Sequence, residues 1–549
     1  MPTLELSHKD LCSLIGKPIP KDQVADALLY AKCELDTQDG DVLHVDAKDT
    51  NRPDLWSAEG IAREIAGRLG RPGLPSHRAT KPVQIVAVTA GDVHPFATAA
   101  IIRDVTLTEA ALSQMIQLQE KISTSFGRGR REMCAGAYDL DLLRFPVAYT
   151  TKKPEDIRFV PLGFTQEMTV REMLATHPKG KEYGHLLTGA ARYPVWTDAT
   201  GAVLSLVPIT NAAGPGTVTT KTRNLFIECT GTSLPMLQTA ITVMAAALAD
   251  RGGTVEAVTL RGPGRPVISP DFTPKRAVVA LDQLRVTGLD LSGTQAVSLL
   301  RQARTLPVLK GPRIEVSYPA YRQDIMHARD LVEDLLISAG YGEIEPVVPR
   351  LATRGAADRR ELLTARVAEA AIGAGLQEVM SYILTNKDAL FSRMQLPPGR
   401  ACEIANPVSA TWSVFRTGML PSLLEFLSKN KHVEYPQQVF EIGDCVLPDD
   451  RQETGTLTSR KLGIALTDVR AGYESIAAVL DVILRTLGVR YTLAPTSHTS
   501  FLPGRVAAVL VNDRPAGHVG EIHPQALNNW GLEKPVAAAE IDLAALETA

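Results

Sequence analysis

"YRQDIMHARDLVEDLLISAGY", residues 321–341, has the apolar stripe of a buried helix and carries four carboxylates close together. At about 100° per residue, Leu331, Val332, Leu335, Leu336 and Ala339 share one side. Asp330, Glu333 and Asp334 fall in a narrow arc opposite, with Asp324 just upstream. Two readings of the arc stand open. Acids in the first turns of a helix complement its positive end, with Arg322, His327 and Arg329 nearby to screen them. Alternatively, the arc is a hard-cation site, since Mg²⁺ takes oxygen ligands and keeps several waters, so a few carboxylates on one rigid face suffice. Ile337 lies inside the acidic arc, and an apolar residue there implies that another surface covers this face.

Proline-rich passages bracket this helix and mark it as part of a small domain. Upstream, "RGPGRPVISPDFTP" (261–274) reads as a linker, because Pro and Gly punctuate structure and tolerate an open backbone; downstream, "EPVVP" (345–349) closes the segment. The expected domains are therefore 1–90, 91–266, 268–346 and 350–549. In the first, "DTNRPDLWSAEGIAREIAGRLG" places Ala58, Ile61, Ala62, Ile65, Ala66 and Leu69 at helical spacing, with Pro53 and Asp54 at the entry and Gly70 at the end. In the second, short apolar runs such as "AAIIRDV", "VLSLVPIT" and "NLFIECTG" alternate with the helical "LPMLQTAITVMAAALADRGG", a mixed α and β pattern. The loop "GRGRRE", with Arg128, Arg130 and Arg131, is either a solvated charge run or a contact for a phosphate backbone. The last segment opens with a helix, "DRRELLTARVAEAAIGAGLQEV", and continues through strands such as "RVAAVLVNDRPAGHVGEI". The fold class is α+β and multidomain, with no internal repeat evident.

Composition narrows the function. At 549 residues, the length suits roughly three to five domains. Hydrophobic residues are 45% and charged ones 22%, the profile of a folded chain with little disorder. No run approaches the roughly 18 apolar residues of a membrane span, and the start "MPTLELSHKDL" lacks a signal pattern, so a cytoplasmic protein is expected. Six cysteines stand without a CxxC pair, which indicates neither zinc nor a disulfide framework. A formal net charge of -3 will not draw the chain onto nucleic acid by bulk electrostatics, although a local basic patch would.

Seven stretches, in order, resemble the β subunit of phenylalanyl-tRNA synthetase of the archaeal and eukaryotic cytosolic type: "NRPDLWSAEGIAREI", "GAYDLDLL", "RNLFIECTGT", the 321–341 helix with "GEI", "NPVSATWSVFRTGMLPSLLEFLSKNK", "QVFEIGD" and "GEIHPQAL". The resemblance implies an N-terminal domain, a B3/B4 domain with an editing site, a small B5 domain, and a C-terminal antiparallel-sheet core shaped like a class II synthetase. It further implies an α subunit, an α2β2 assembly, tRNA(Phe), and ATP-dependent charging with phenylalanine. In the family the B5 helix supplies Mg²⁺ ligands at a site shared with the α subunit, and the matching positions here are Asp324, Asp330, Glu333 and Asp334.

Adenylation needs fixed positive charge on the ATP phosphates. Where the class II pattern FRxE would stand, this chain has Gln438, Val439, Phe440 and Glu441, and "VAAAEIDLAAL" near the end offers no GxGxxR. The expectation is a core-like fold with no residue catalytic for aminoacylation, ATP being bound by the α subunit. The editing resemblance falls on Glu228 and Thr230 in "LFIECTGT", which alternation puts on one strand face, with Ser205 on a facing strand and Asn211 a further candidate. A carboxylate there would accept the phenol hydrogen bond of a misattached tyrosine, which phenylalanine cannot offer. Two other classes remain as alternatives, a free-standing trans-editing hydrolase and a non-catalytic nucleic-acid-binding protein.

Overall fold

A serine cap begins the first helix. The chain enters as strand β1 (Thr3–Ser7), and the Ser7 side chain accepts the backbone N–H of Asp10 to start α1 (His8–Ile15), which Gly16 ends at φ +75°. Strands β2 (Cys33–Asp39) and β3 (Val42–Ala47) follow as a hairpin and complete a three-stranded sheet in the order β1-β3-β2. Helix α2 (Ala58–Arg68) then packs on α1. It starts later than the sequence suggests. Residues Pro53–Leu55 form a 3₁₀ turn, and Ser57 is the cap, accepting from the backbone N–H of Gly60. The computed structural model, which describes residues 2–89, 91–262 and 265–547, divides into two units, 1–348 and 349–549.

A ten-stranded mixed sheet is the centre of the first unit. Its strands, in chain order, are β4 (Ala79–Val88), β5 (Phe96–Arg103), β6 (Met133–Asp139), β7 (Ala148–Lys152), β8 (Tyr193–Thr197), β9 (Val203–Leu206), β10 (Thr210–Asn211), β11 (Leu225–Gly231), β12 (Thr254–Arg261) and β13 (Val267–Ser269). The spatial order is β10-β9-β8-β7-β4-β12-β5-β11-β6, with β13 paired to β12. Helix α3 (Glu109–Lys121) and the short α4 (Pro178–Tyr183) lie between strands in sequence, and α5 (Leu234–Asp250) lies along β5 and β11. Leu237, Ile241, Met244 and Leu248 of α5 join Leu11, Ile15, Ile61 and Ile65 of the first two helices in one continuous core. On the opposite face Ile101, Tyr138, Tyr149, Trp196 and Phe226 form a second apolar layer. Strand β11 is thus buried on both faces, which is why it reads as a near-continuous apolar run.

Two strands of the central sheet lie outside 91–266. Strand β4 falls in the expected first domain, yet it pairs in parallel with β12 and β7. The linker passage contains β13, which pairs antiparallel with β12; Pro263 and Gly264 of that passage lie outside the described residues. Both strands are short of flanking apolar pattern, and only long-range pairing reveals them.

The end of the first unit repeats its beginning. Strand β14 (Lys275–Ala280), helix α6 (Gly293–Gln302), strands β15 (Leu306–Lys310) and β16 (Arg313–Tyr318), and helix α7 (Ala328–Ala339) form a sheet ordered β14-β16-β15, the order of β1-β3-β2. In each copy an Arg-x-Asp loop precedes the final helix: Arg52 and Asp54 before α2, Arg322 and Asp324 before α7. The sequence alone shows no repeat because the copies stand 270 residues apart and retain in common little beyond this ionic skeleton and the helix acids Glu64 and Asp334.

The second unit is built on a seven-stranded sheet. Its elements are α8 (Arg359–Gly373), β17 (Gln377–Glu378), α9 (Leu420–Lys429), β18 (Gln437–Pro448), β19 (Thr456–Thr467), α10 (Tyr473–Thr486), β20 (Tyr491–Pro495), β21 (Phe501–Val511), β22 (Arg514–Ile522), α11 (Pro524–Asn529) and β23 (Val536–Asp542). The order is β17-β18-β19-β23-β22-β21-β20, antiparallel throughout except the β17–β18 pair. Helices α8 and α10 cover one face through Val367, Ile476, Leu480 and Ile483; α9 and α11 cover the other through Leu423, Leu424, Leu427 and Ala526.

Candidate functional site

Glu228 is an acid in the middle of a strand with every residue buried. It stands opposite Ala99 of β5 and Gly136 of β6. Gly136 is required there: a Cβ at that position would lie 2.3 Å from Glu228 Oε1. The space so preserved opens into a cavity of about 430 Å³ whose wall includes Glu228, Ser205, Asn211, Arg130, Cys134 and Phe164. That volume suits a single amino-acid side chain with part of its carrier.

A phenol organises the polar end of the cavity. The hydroxyl of Tyr138 lies 2.9 Å from Ser205 Oγ, 3.2 Å from Asn211 Oδ1 and 3.4 Å from Glu228 Oε1. One hydroxyl proton satisfies one of these acceptors, so the group shares its protons as a network. Asn211 is fixed from the other side, donating through Nδ2 to the carbonyl of Ala137 at 3.3 Å. Glu228 Oε2 is buried without a well-formed hydrogen bond. Burial dominates its ionisation and pushes its pKa up to about 8, with the Trp196 indole and then the Tyr138 hydroxyl offsetting only part of the effect. At neutral pH this carboxyl is mostly protonated, able both to donate and to accept.

Thr230 is not on the cavity wall. It shares a strand face with Glu228, as alternation requires, but its Oγ1 lies 3.2 Å from Cys134 Sγ and 3.3 Å from His94 Nδ1, behind the Cys134 that lines the cavity. The geometry brings together Ser205, Glu228 and Asn211 and leaves Thr230 one layer back. Tyr138, Gly136 and His94 escape sequence reasoning. Tyr138 stands in the quoted "GAYDLDLL", but nothing in that run distinguishes a buried hydroxyl hub from ordinary strand filler.

The four acids around α7 do not form a ligand set. Arg322 donates Nε to Asp324 Oδ1 at 2.8 Å and Nη2 to Asp324 Oδ2 at 2.6 Å and Asp334 Oδ2 at 2.8 Å, all three residues being buried. Arg52 Nε approaches Asp324 Oδ1 at 3.7 Å from the first copy of the repeat. Burial alone would raise Asp324; the guanidiniums of Arg322 and Arg52 instead hold it well below the usual carboxylate range. Asp330 Oδ2 accepts the backbone N–H groups of Met326 and His327, a helix cap. Glu333 is exposed and pairs with Lys32 at 3.2 Å. Among the described residues, no three His, Cys, Asp or Glu side chains converge as a metal site. Of the four expected Mg²⁺ positions, Asp324 and Asp334 turn inward to a buried arginine, while Asp330 caps the helix and Glu333 stays exposed. Ile337 is also covered from within the chain, facing a cleft walled by Leu29, Tyr30 and Lys32.

Three cations on or beside strands β18 and β19 are paired internally. Glu441 of β18 accepts from Arg416 Nη1 at 2.8 Å and from Ser381 Oγ at 2.6 Å, and both charged residues are buried. Lys461 Nζ lies 2.8 Å from Glu540 Oε1, while Glu540 Oε2 accepts the N–H groups of Met419 and Leu420 at the start of α9. Arg460 is held by Asp444 and Glu361. A triphosphate approaching these strands would compete with carboxylates already in place. Among the described residues no helix is long and apolar enough to cross a membrane.

Residues 344–543 match the family model described as the phenylalanyl-tRNA synthetase beta chain CLM domain, and residues 282–341 match the tRNA synthetase B5 domain. Proteins named phenylalanine–tRNA ligase beta subunit from Thermococcus kodakarensis and Pyrococcus abyssi are 43% and 44% identical, the alignments covering 100% and 99% of this chain and 99% of each relative. A crystal structure of an N-terminal fragment of the phenylalanyl-tRNA synthetase β subunit from Pyrococcus horikoshii superposes with TM-score 0.60 at 43% identity, over 62% of this chain and 100% of the fragment.

Proposed function

The chain belongs to the phenylalanine–tRNA ligase β-subunit family, and from that premise we propose that it supports charging of tRNA(Phe) by an α subunit while hydrolysing tRNA(Phe) misloaded with tyrosine. The single observation that carries the second activity is the hydrogen-bonded cluster of Glu228, Ser205, Asn211 and Tyr138 at one end of the cavity. Discrimination follows from the Glu228 carboxyl. A tyrosine phenol entering the cavity can hydrogen-bond with this under-satisfied group, whereas phenylalanine offers it nothing, a difference of about 1–3 kcal/mol. The preference thus reverses between a charging site that must tolerate an apolar ring and a clearing site that demands a hydroxyl.

In this reading the seven-stranded unit is a class II-like core that serves as scaffold, and an α2β2 assembly places ATP, its Mg²⁺ and phenylalanine on the α subunit. Support comes from the internally paired cations Arg460 and Lys461 on β19 and Arg416 beside β18, which leave those two strands poorly suited to phosphates. Among the described residues of the β chain the carboxylates do not converge on one point, and no step is assigned to Mg²⁺ there.

The test of the hydrolytic part is deacylation of tyrosyl-tRNA(Phe) by the co-purified α–β complex, wild type against Glu228→Ala. The variant is expected to lose about 10-fold or more in rate, since about 1–3 kcal/mol separates a satisfied from an unsatisfied buried group, while its charging rate is unchanged. Equal deacylation rates would remove Glu228 from the site.

A further inference from the structure

The basic loop 127–132, read from sequence as a solvated run or a phosphate contact, splits in the structure. Arg128 and Arg131 are exposed, but Arg130 is buried and stands on the cavity wall. Three successive residues, Arg128, Gly129 and Arg130, take left-handed φ values of 49°, 65° and 61°. Two of them are not glycine, a conformation that persists only where surroundings impose it. A π-helical turn, Ile122–Phe126, leads into the same loop. The consequence is to turn one arginine inward.

What Arg130 touches is the opposite rim of the cavity. Nη1 donates to the carbonyls of Pro208 and Ile209, both at 3.0 Å, in the segment linking β9 to β10. Nη2 donates to Glu120 Oε1 of α3 at 2.8 Å, and the guanidinium stacks 4.5 Å over the ring of Tyr183 of α4. Nε is buried without a partner. The backbone carbonyl of Arg130 takes the Nε2–H of His94 at 3.0 Å, and His94 Nδ1 lies against Thr230. One planar fork therefore ties the loop before β6 to three elements around the cavity: the β9–β10 rim, α3 and α4.

We propose that Arg130 is a positioning residue of the hydrolytic site, holding the 208–211 rim so that Asn211 and Ser205 meet the Tyr138–Glu228 cluster in register. The inference rests on the hydrolytic reading given above. Its physical content is that the rim follows the guanidinium. Ser205 and Asn211 are Cα partners across β9 and β10, so a shift at Pro208 and Ile209 moves the turn between them. A lysine could keep the charge beside Glu120 but has no planar fork to hold two carbonyls and stack on Tyr183.

The experiment uses the co-purified α–β complex and compares wild type, Arg130→Lys and Arg130→Ala in single-turnover deacylation of tyrosyl-tRNA(Phe), with charging by phenylalanine as the internal control. Both variants are expected to lose about 100-fold in the deacylation rate constant, the scale of a misplacement of about 1 Å, with tRNA half-saturation and charging unchanged. Millimolar guanidinium is expected to restore part of the rate to Arg130→Ala and none to Arg130→Lys, a signature that loss of folding would not give. Should Arg130→Ala fail to fold, Arg130→Lys alone decides. Full deacylation by Arg130→Lys, or a loss in Arg130→Ala that guanidinium leaves untouched, overturns the proposal. An inert wild type would overturn the hydrolytic reading itself, and the positioning role with it.

Discussion

At Glu228 the residue type and strand face are legible in "LFIECTGT", and the ionisation is not. Alternation says which side the acid takes, but only the packed sheet says that one oxygen is left without a well-formed hydrogen bond. The sign of the resulting pH dependence can be worked out. The folded state holds this proton more tightly than the unfolded chain, whose carboxyl titrates near 4.5. Stability therefore falls as pH rises from about 4.5 through about 8 and is flat beyond. Unfolding midpoints of wild type and Glu228→Gln, measured between pH 5 and pH 9, should diverge with rising pH, the wild type losing ground to the variant until about pH 8. Parallel curves would show that Glu228 is already ionised in the fold. Thr230 marks the limit of the same logic, since alternation gives a face but not whether Cys134 stands in front of it.

Among elements, helices were read best where their apolar stripe meets a core. The α2 stripe of Ile61, Ala62, Ile65 and Ala66 is buried as its spacing predicts. What periodicity missed is the polar side of such helices. Glu64 on α2 and Asp334 on α7 are equally buried, because each faces an arginine from the loop before its own helix. That pairing defines the repeat and is strong only while complete. Arg322→Met should leave Asp334 without its buried arginine and Asp324 with only the more distant Arg52, at a cost of about 3–5 kcal/mol, or roughly a hundredfold or more in local opening. Hydrogen exchange within Ala328–Ala339 of the full chain is expected to accelerate by that factor, and Asp334→Asn on the Arg322→Met background should recover part of it. Unchanged protection would mean that the apolar face of α7 holds it without the clasp.

For the whole molecule, the ordered motifs identified the family over the full chain, while architecture needed long-range pairing. Strands β4 and β13 entered the central sheet from segments read as domain end and linker, and a 270-residue repeat stayed hidden behind divergent side chains. We propose that activation belongs to a partner, because Arg416, Arg460 and Lys461, on or beside strands β18 and β19, are already spent on Glu441, Asp444 and Glu540. Phenylalanine-dependent exchange of pyrophosphate into ATP tests this most directly, measured with the purified chain alone, with the α subunit alone and with both. No exchange above background is expected from the 549-residue chain, and robust exchange is expected from the complex. Exchange by the chain alone, free of host enzyme, would contradict it.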